Sequence, residues 1–398
     1  MKIIITNDVY EDNGGAGQVF KNTIVLLKNN GHNVYPFVVV ENNFLGTLPK
    51  EYFFFKKPKS RIRAFILKHF DPELFNQFRM LIKKVNPDLI HCQQNLSSPL
   101  SFLLAAKLEK VPVVQTLHDF NLVCLSSWGA KKTNSDFCIK GAPLSCLINR
   151  CLDCGEYFRN VGAWYIRKLS IKHYTKVIIA PSKSLAVALK ENDFSNVETI
   201  PNFVYPPENL RMQKRKRKNN FLLFVGRLTP QKGCQYLINA MKIIEKSFSD
   251  VNLLVIGDGP ERKKLERLSS SLNFNKVKFL GEILYIRTGH YFERATMIII
   301  PSIWMENCPL VVLEAMSYGI PVIGSRIGGI PELIQENKTG MLFRPRDSTD
   351  LAKKIIYLLK YPDVAYKMGL RSIEEYRRKY TSEIHYKKLI KVYKKLVN

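Results

Sequence analysis

Between Ile300 and Gly319 an apolar run gives way to a short polar segment and then to a helix-length apolar segment, with acids at Glu306 and Glu314. At a helical rise of about 1.5 Å per residue their separation is roughly 12 Å, enough for one carboxylate to meet a sugar and the other a ribose with a diphosphate between them. Asn307 suits an N-cap and Pro309 a first helical turn. The free backbone N–H groups and the positive end of such a helix suit phosphate oxygens. Taken alone, the two acids read rather as an exposed loop acid and a helix-surface acid. A second cluster changes the balance. Arg227 and Lys232 follow another apolar run, each next to a glycine, Gly226 and Gly233. Glycine lets backbone approach a ligand closely, and two fixed cations neutralise a departing diphosphate as a metal otherwise would.

Elements must hold these groups in place. Apolar runs of strand length alternate with amphipathic helix-length segments, the pattern of parallel sheets covered by helices on both faces, so the fold class is α/β. Strands are expected at 2–6, 34–40, 88–92, 111–117, 177–180 and 197–200, and again at 221–225, 251–256, 277–280, 297–300, 321–324 and 341–343. Helices are expected at 18–29, 98–109 and 184–191. The pattern pauses at Pro201, Pro206 and Pro207, followed by the polar, basic run 211–218. This divides the chain into an N-terminal Rossmann-like domain, 1–203, a linker, 204–219, a second Rossmann-like domain, 220–375, and a helical segment, 376–398, able to cross back to the first. Two doubly wound sheets facing one another leave a cleft at the carboxyl ends of their strands.

The ordered set Gly226-Arg227-Leu228, Lys232-Gly233, Gly257 to Pro260, Gly281-Glu282, Pro301-Ser302, Glu306 with Glu314, and Gly328 to Glu332 resembles the family-4 retaining glycosyltransferases of the GT-B fold. The resemblance covers most of the second domain and continues into the first. It implies two Rossmann-like domains facing a central cleft, a nucleotide-diphosphate sugar as donor and no cofactor for catalysis. It further implies that Arg227 and Lys232 bind the donor diphosphate, Glu314 the ribose hydroxyls and Glu306 the transferred sugar. Asn307, Cys308, Leu310 and Val311, after Glu306, meet phosphates and sugar. Gly14, Gly15 and Gly17 resemble the glycine loop that closes over the phosphates; they lack the dinucleotide spacing and read also as a helix entry. His118, just past an expected strand, matches the family's active-site histidine, with Asp119 beside it a weaker candidate. By resemblance the reaction retains anomeric configuration, through front-face attack in which the departing phosphate helps deprotonate the acceptor.

Five of eight cysteines fall at Cys124, Cys138, Cys146, Cys151 and Cys154, within an insert spanning about 120–157. The Cys151/Cys154 pair has metal-knuckle spacing, and Cys124 or Cys146 with Cys138 would complete a structural zinc site; reduced or redox-labile thiols are the other reading. The formal charge is +27, from 61 Lys+Arg against 34 Asp+Glu. Residues 49–87 hold ten bases and three acids, and 360–398 eleven and four. Near an anionic leaflet each exposed base adds about 1 kcal/mol. With no zinc-finger spacing, RNA-recognition motif or basic zipper, an anionic membrane surface is the better partner than nucleic acid, the bland alternative being a solvated lysine-rich surface. The first residues are too short an apolar run for a signal peptide, and no window reaches the roughly 18 apolar residues of a membrane span. A cytoplasmic protein, peripheral on the inner face of the membrane, is expected. The leading reading is transfer of a hexose or N-acetylhexosamine to a glycan, lipid-linked, in cell-surface polysaccharide synthesis. Its rivals are a soluble transferase or synthase using a small sugar or sugar phosphate, and a non-catalytic binding protein of the same fold, which would have shed Glu306, Glu314, Arg227, Lys232 or His118.

Overall fold

The computed structural model describes residues 1–7, 14–40, 48–56, 70–93, 98–126, 129, 138, 143–205, 221–272 and 276–397. Most of the expected linker, from 206 onward, lies outside the described residues, as do Lys57, Lys59, Arg61, Arg63 and Lys68 of the first basic stretch. The chain forms two compact units, one built from the N-terminal part through Asn202 together with Ser382 onward, the other containing Phe203–Thr381.

The first unit holds a parallel seven-stranded sheet in the order β3-β2-β1-β4-β5-β6-β7. Strand β1 (Lys2–Asn7) pairs with β2 (Asn33–Val40) and β4 (Leu89–Gln93), with α1 (Gly15–Asn29) between β1 and β2 in sequence. Residues 3–7 are all buried, as a strand covered on both faces requires. Edge strand β3 (Phe53–Lys56) alternates less regularly and was hidden from the sequence reading by the basic residues around it. Helix α2 (Pro72–Val85) starts on Asp71, whose side chain accepts from the backbone N–H of Glu73 and Leu74, with Pro72 in the first turn. Helix α3 (Pro99–Leu108), β5 (Val113–Thr116), α4 (Pro143–Ile148), α5 (Cys154–Tyr174), β6 (Val177–Ala180), α6 (Lys183–Lys190) and β7 (Val197–Thr199) follow. A capping box between Asp153 and Glu156 starts α5.

The second unit has a parallel six-stranded sheet, β10-β9-β8-β11-β12-β13. Its elements are β8 (Phe221–Val225), a 3₁₀ turn (Pro230–Lys232), α7 (Cys234–Ile244), β9 (Asn252–Ile256), α8 (Arg262–Ser271), β10 (Val277–Gly281), α9 (Tyr285–Arg294), β11 (Met297–Ile300), α10 (Leu310–Ser317), β12 (Val322–Ser325), α11 (Ile330–Leu333), β13 (Gly340–Phe343), α12 (Ser348–Lys360) and α13 (Pro362–Lys379). The strand order reverses between β8 and β11, so the loops leaving these two strands lie at the switch point where open α/β sheets bind ligands.

The last helix, α14 (Ser382–Val397), belongs to the first unit, where Leu389, Val392 and Tyr393 join Ile3, Ile5, Leu89 and Val114 in one core cluster. Each such apolar side chain contributes about 1.5–3 kcal/mol on burial. The fully buried Tyr393 hydroxyl lies 2.6 Å from Nδ1 of His91, whose Nε2 lies 2.7 Å from Thr116 Oγ1. Burial pushes His91 down to about 3, so its neutral ring must donate at one nitrogen and accept at the other, and two hydroxyls serve it. Tyr393→Phe removes one of these partners and should lower the stability of the first unit by about 1–3 kcal/mol, read as a shifted urea midpoint. A midpoint equal to wild type would show that the hydroxyl is not part of what holds α14 in place.

Candidate active site

The groups at the switch point are brought together by backbone. The 3₁₀ turn ends at Gly233, whose φ of +69° and whose position against the Pro301 carbonyl, 1.9 Å from where a Cβ would stand, exclude every other residue. The Ile303 N–H donates to the Gln231 carbonyl at 2.8 Å, joining the loop after β8 to the loop after β11. Lys232 is thereby aimed at Glu306, with Nζ 2.8 Å from Oε1 and 5.2 Å from the centre of the Trp304 ring. Gly328 performs the same service on the other side. A Cβ there would lie 2.3 Å from the Glu306 carbonyl oxygen, and the Gly329 N–H donates to that oxygen at 2.7 Å.

Glu306 is buried, and the Ser302 hydroxyl donates to its Oε1 at 2.6 Å. Burial alone pushes this carboxyl up; the Lys232 ammonium, its hydrogen bond, and the nearby Ser302 and Trp304 outweigh burial and hold it below its ordinary value. Glu306 is therefore an acceptor carboxylate at neutral pH. The buried Trp304 indole N–H supports the Glu306 carboxylate electrostatically without a hydrogen bond of ordinary geometry among the described residues.

Helix α10 begins at Leu310 with Pro309 at the N-cap and no side-chain cap. The expectation that Asn307 caps it is corrected: Pro309 is extended, at φ −65° and ψ 120°, so the helix starts two residues later than Asn307 would allow. Asn307, Cys308 and Leu310 are buried, and Val311 is half-buried in the first turn. An end with no capping side chain leaves first-turn N–H groups for an anion. Further along α10, Glu314 is buried, with no cation paired to it among the described residues. Burial pushes its carboxyl up to about 7, opposed by a hydrogen bond from the Tyr285 hydroxyl.

Arg227 is exposed on the loop after β8, beside Gly226, against which Gly257 packs so closely that a Cβ would come 2.1 Å from the Gly226 carbonyl oxygen. Lys232 and Glu306 are thus in contact, Arg227 shares the loop with Lys232, and Glu314 lies on the helix that follows Glu306.

The other expected site residues are in the first unit. Gly14 is the N-cap of α1, with Gly15 and Gly17 in its first turn and no capping side chain. His118 follows β5, with Nε2 3.2 Å from Oε1 of the buried Gln93 at the end of β4. Burial, helped by His385, pushes His118 down to about 4, leaving a neutral ring. If Gln93 presents its carbonyl oxygen, Nε2 carries the proton and Nδ1 is left as acceptor. Asp119 accepts from the Asn121 N–H at 2.9 Å and shapes the loop.

Of the five cysteines in the insert, Cys146 has Cys124 and Cys151 beside it. Among the described residues no group of three or more His, Cys, Asp or Glu is arranged to hold a metal. The Cys151/Cys154 spacing straddles a helix start: Asp153 caps α5, which leaves Cys154 exposed in the first turn while Cys151 is buried. Cys138 Sγ lies 3.7 Å from Ser145 Oγ. The Cys146 thiol hydrogen-bonds Cys124 and, against burial, draws the Cys124 thiol below its ordinary value. Of the expected set Cys124, Cys138, Cys151 and Cys154, with Cys146 as alternate, Cys124 and Cys151 thus share Cys146 as a neighbour, while Cys154 is exposed.

Ser302, Trp304, Tyr285 and Gln93 were not assigned roles from sequence. Ser302 stood in a quoted motif and is four residues before Glu306, which was its only signal.

Two sheets of this topology, with a cation and a carboxylate paired at the switch point of the second, define a glycosyltransferase architecture of the GT-B type. Residues 13–206 match the model described as Glycosyltransferase Family 4 and residues 207–375 that of Glycosyl transferases group 1. The chain belongs to the family-4 glycosyltransferases of the GT-B fold and is a nucleotide-sugar-dependent transferase. It is similar to the N-acetyl-alpha-D-glucosaminyl L-malate synthase of Bacillus anthracis, 25% identical over 396 residues, 96% of this chain and 94% of the relative. Among solved structures it resembles Anabaena HepE in complex with UDP and glucose, at TM-score 0.71 and 18% identity over 98% of this chain and 99% of that one. It also resembles WaaG, a glycosyltransferase involved in lipopolysaccharide biosynthesis, at TM-score 0.69 and 18% identity over 97% and 98% of the two chains.

Glu314 gives a pH signature. Its folded pKa, about 7, lies above the ordinary 4.5, so the folded state holds a proton the unfolded chain releases. That stabilisation is complete below pH 4.5 and is lost as pH rises through 7, a change on the order of 3 kcal/mol. Glu314→Gln should remove this loss, raising the melting temperature relative to wild type at pH 8 more than at pH 5. Equal differences at the two pH values would contradict a proton on Glu314.

Proposed function

We propose that the protein transfers a hexose or N-acetylhexosamine, with retention, from a nucleoside-diphosphate sugar to a glycan acceptor, lipid-linked, during cell-surface polysaccharide synthesis on the inner face of the cytoplasmic membrane. The observation that carries the donor part is the 2.8 Å Lys232–Glu306 pair beside the uncapped start of α10. An ion pair so deeply placed costs desolvation unless its groups have other partners, and a sugar diphosphate supplies both. Its phosphate oxygens take Lys232, Arg227 and the α10 N–H groups; its sugar hydroxyls donate to Glu306. The Trp304 N–H, which has no hydrogen bond of ordinary geometry among the described residues, suits an oxygen of the same ligand. Glu314, hydrogen-bonded by Tyr285, accepts from the ribose hydroxyls and becomes ionised as they replace bulk desolvation with donors. His118 offers a neutral acceptor nitrogen to a sugar hydroxyl.

On this reading the protein supplies no strong base. Fixed positive charge stabilises the diphosphate as its bond to the sugar breaks, and the departing phosphate oxygen receives the acceptor's proton. Lys232→Ala should lower kcat/KM by about 10²–10³-fold, the scale of one lost electrostatic donor, while the protein stays folded by circular dichroism. Unchanged turnover at saturating donor would contradict the diphosphate role.

Support for a membrane-held glycan comes from the basic surface, with α14 alone carrying Lys387, Lys388, Lys391, Lys394 and Lys395. A small acceptor is the second reading, favoured by the malate named for the Bacillus anthracis relative. A screen of uridine, guanosine and adenosine diphosphate sugars, by thermal shift and then by transfer to lipid-linked glycan or to small acids and sugar phosphates, should give a stabilising donor and turnover with the glycan. Turnover only with small acceptors would replace the first reading by the second.

A further inference from the structure

Helix α5 (Cys154–Tyr174) is apolar on two faces. Its inner face carries Tyr157, Trp164 and Ile171, all buried, and the Trp164 indole N–H donates to the Asn121 carbonyl at 2.9 Å. That bond ties the helix to the loop that follows His118. Its outer face should be polar if only water met it. Instead Phe158, Tyr165 and Leu169 are 74%, 48% and 52% exposed. The spacing of 158, 162, 165 and 169, with Gly162 completing the row, places them on one stripe about 16 Å long. Ile166 borders the stripe, and the neighbouring α4 (Pro143–Ile148) adds Leu144 and Ile148, 65% and 80% exposed. Isolated exposed apolar residues need no explanation, but a continuous row on one helix does.

The charges say what covers it. Residues 143–176 carry six Lys/Arg, namely Arg150, Arg159, Arg167, Lys168, Lys172 and Lys176, against two acids, Asp153 and Glu156. Both acids are engaged in the capping box at the start of α5, where Asp153 accepts from the Glu156 N–H at 2.7 Å. Arg150, Arg159 and Lys172 are exposed along the two helices. An apolar stripe with aromatic rings, bordered by cations and lacking free acids, is the composition of a helix that lies in the interface of an anionic bilayer. Among the described residues no helix is long and apolar enough to cross one.

We infer that the outer face of α4 and α5 is the surface by which this protein docks on an anionic lipid membrane, seating Phe158, Tyr165 and Leu169 among the acyl chains with Arg159 and Lys172 at the phosphate level. The inference rests on the membrane-acceptor reading for its purpose, since the same helix, through Trp164 and Asn121, supports the His118 loop on its other side. Docking would hold that loop at the level where a lipid-linked acceptor presents its sugar.

The test uses the full chain and no acceptor. Wild type and the double variant Phe158→Ser with Leu169→Ser are mixed with phosphatidylglycerol-containing vesicles or pure phosphatidylcholine vesicles, and the sedimented fraction is measured at low and high salt. Wild type should bind the anionic vesicles in a salt-sensitive way and the neutral ones weakly, and the double variant should bind at least about tenfold less, the scale of one large apolar side chain lost from a buried environment. Donor-induced thermal shift, measured in parallel, should be equal in the two proteins, which establishes that the variant is folded and keeps the fate of the donor assignment separate. Binding of the double variant equal to wild type, or absence of wild-type binding to anionic vesicles, would overturn the docking surface. So would a concentration-dependent wild-type dimer that the variant breaks without any vesicle binding, because the stripe would then belong to a second copy of the chain.

Discussion

Everything at the switch point of the second unit depends on keeping a carboxylate ionised where water is scarce. Glu306 is fully charged in a buried place because Lys232 is 2.8 Å away and Ser302 donates to the same oxygen. Neither partner could reach it without the backbone approaches made by Gly233 to Pro301 and by Gly328 to Glu306 itself. The glycines are thus part of the electrostatics. A methyl group at either position would move a loop, and a loop displaced by an ångström leaves a buried charge without its counterion, a far larger loss than the hydrogen bond itself. Parallel strands supply the rigid frame: β8 and β11 are hydrogen-bonded neighbours, so the two loops start from fixed points.

Glu306 and Glu314 show how one residue type acquires two states on one short stretch of chain. Glu306 has a cation and stays below the ordinary carboxyl value, whereas Glu314 has a phenol and is pushed up to about 7. Burial acts on both in the same direction, so the partner decides. Environments that drive two carboxyls apart are a mark of sites in which they do different work. Glu306 is held charged and already accepts hydrogen bonds, while Glu314 is held closer to its neutral form.

The fold was readable from sequence because its strands are buried on both faces and so appear as unbroken apolar runs, as in β1, β8 and β11. Strand β3 escaped because its apolar run, 52–55, is short and bounded by Glu51 and by Lys56 and Lys57, and only Phe55 in it is buried. The site was legible where chemistry and spacing coincide in one segment, as for Lys232 after Gly226 or Glu314 after Glu306. It was illegible where a partner comes from elsewhere in the chain. Tyr285 reaches Glu314 from another helix, and Gln93 meets His118 from a neighbouring strand, 25 residues away. The placing of Cys151 and Cys154 was illegible for a related reason. Knuckle spacing assumes a turn, and here Asp153 with Glu156 begins a helix between the two thiols, sending one outward and one inward.

The first unit adds a constraint of chain order. Its core cluster is completed by Leu389, Val392 and Tyr393, which are synthesised after the whole second unit. Until they arrive, the apolar face formed by Ile3, Leu89 and Val114 lacks its last cover, and His91, which burial keeps neutral, lacks one of its two hydroxyl partners. A sheet left open at this face exposes both apolar area and an unsatisfied ring nitrogen, which together make the last helix worth more than its own contacts. His118 and its partner Gln93 stand at the ends of β5 and β4, the strands that carry Thr116 and His91, so the same closing helix that completes the core also fixes the frame on which the neutral His118 ring is held. A histidine on a frame of this kind is in place only once α14 has docked.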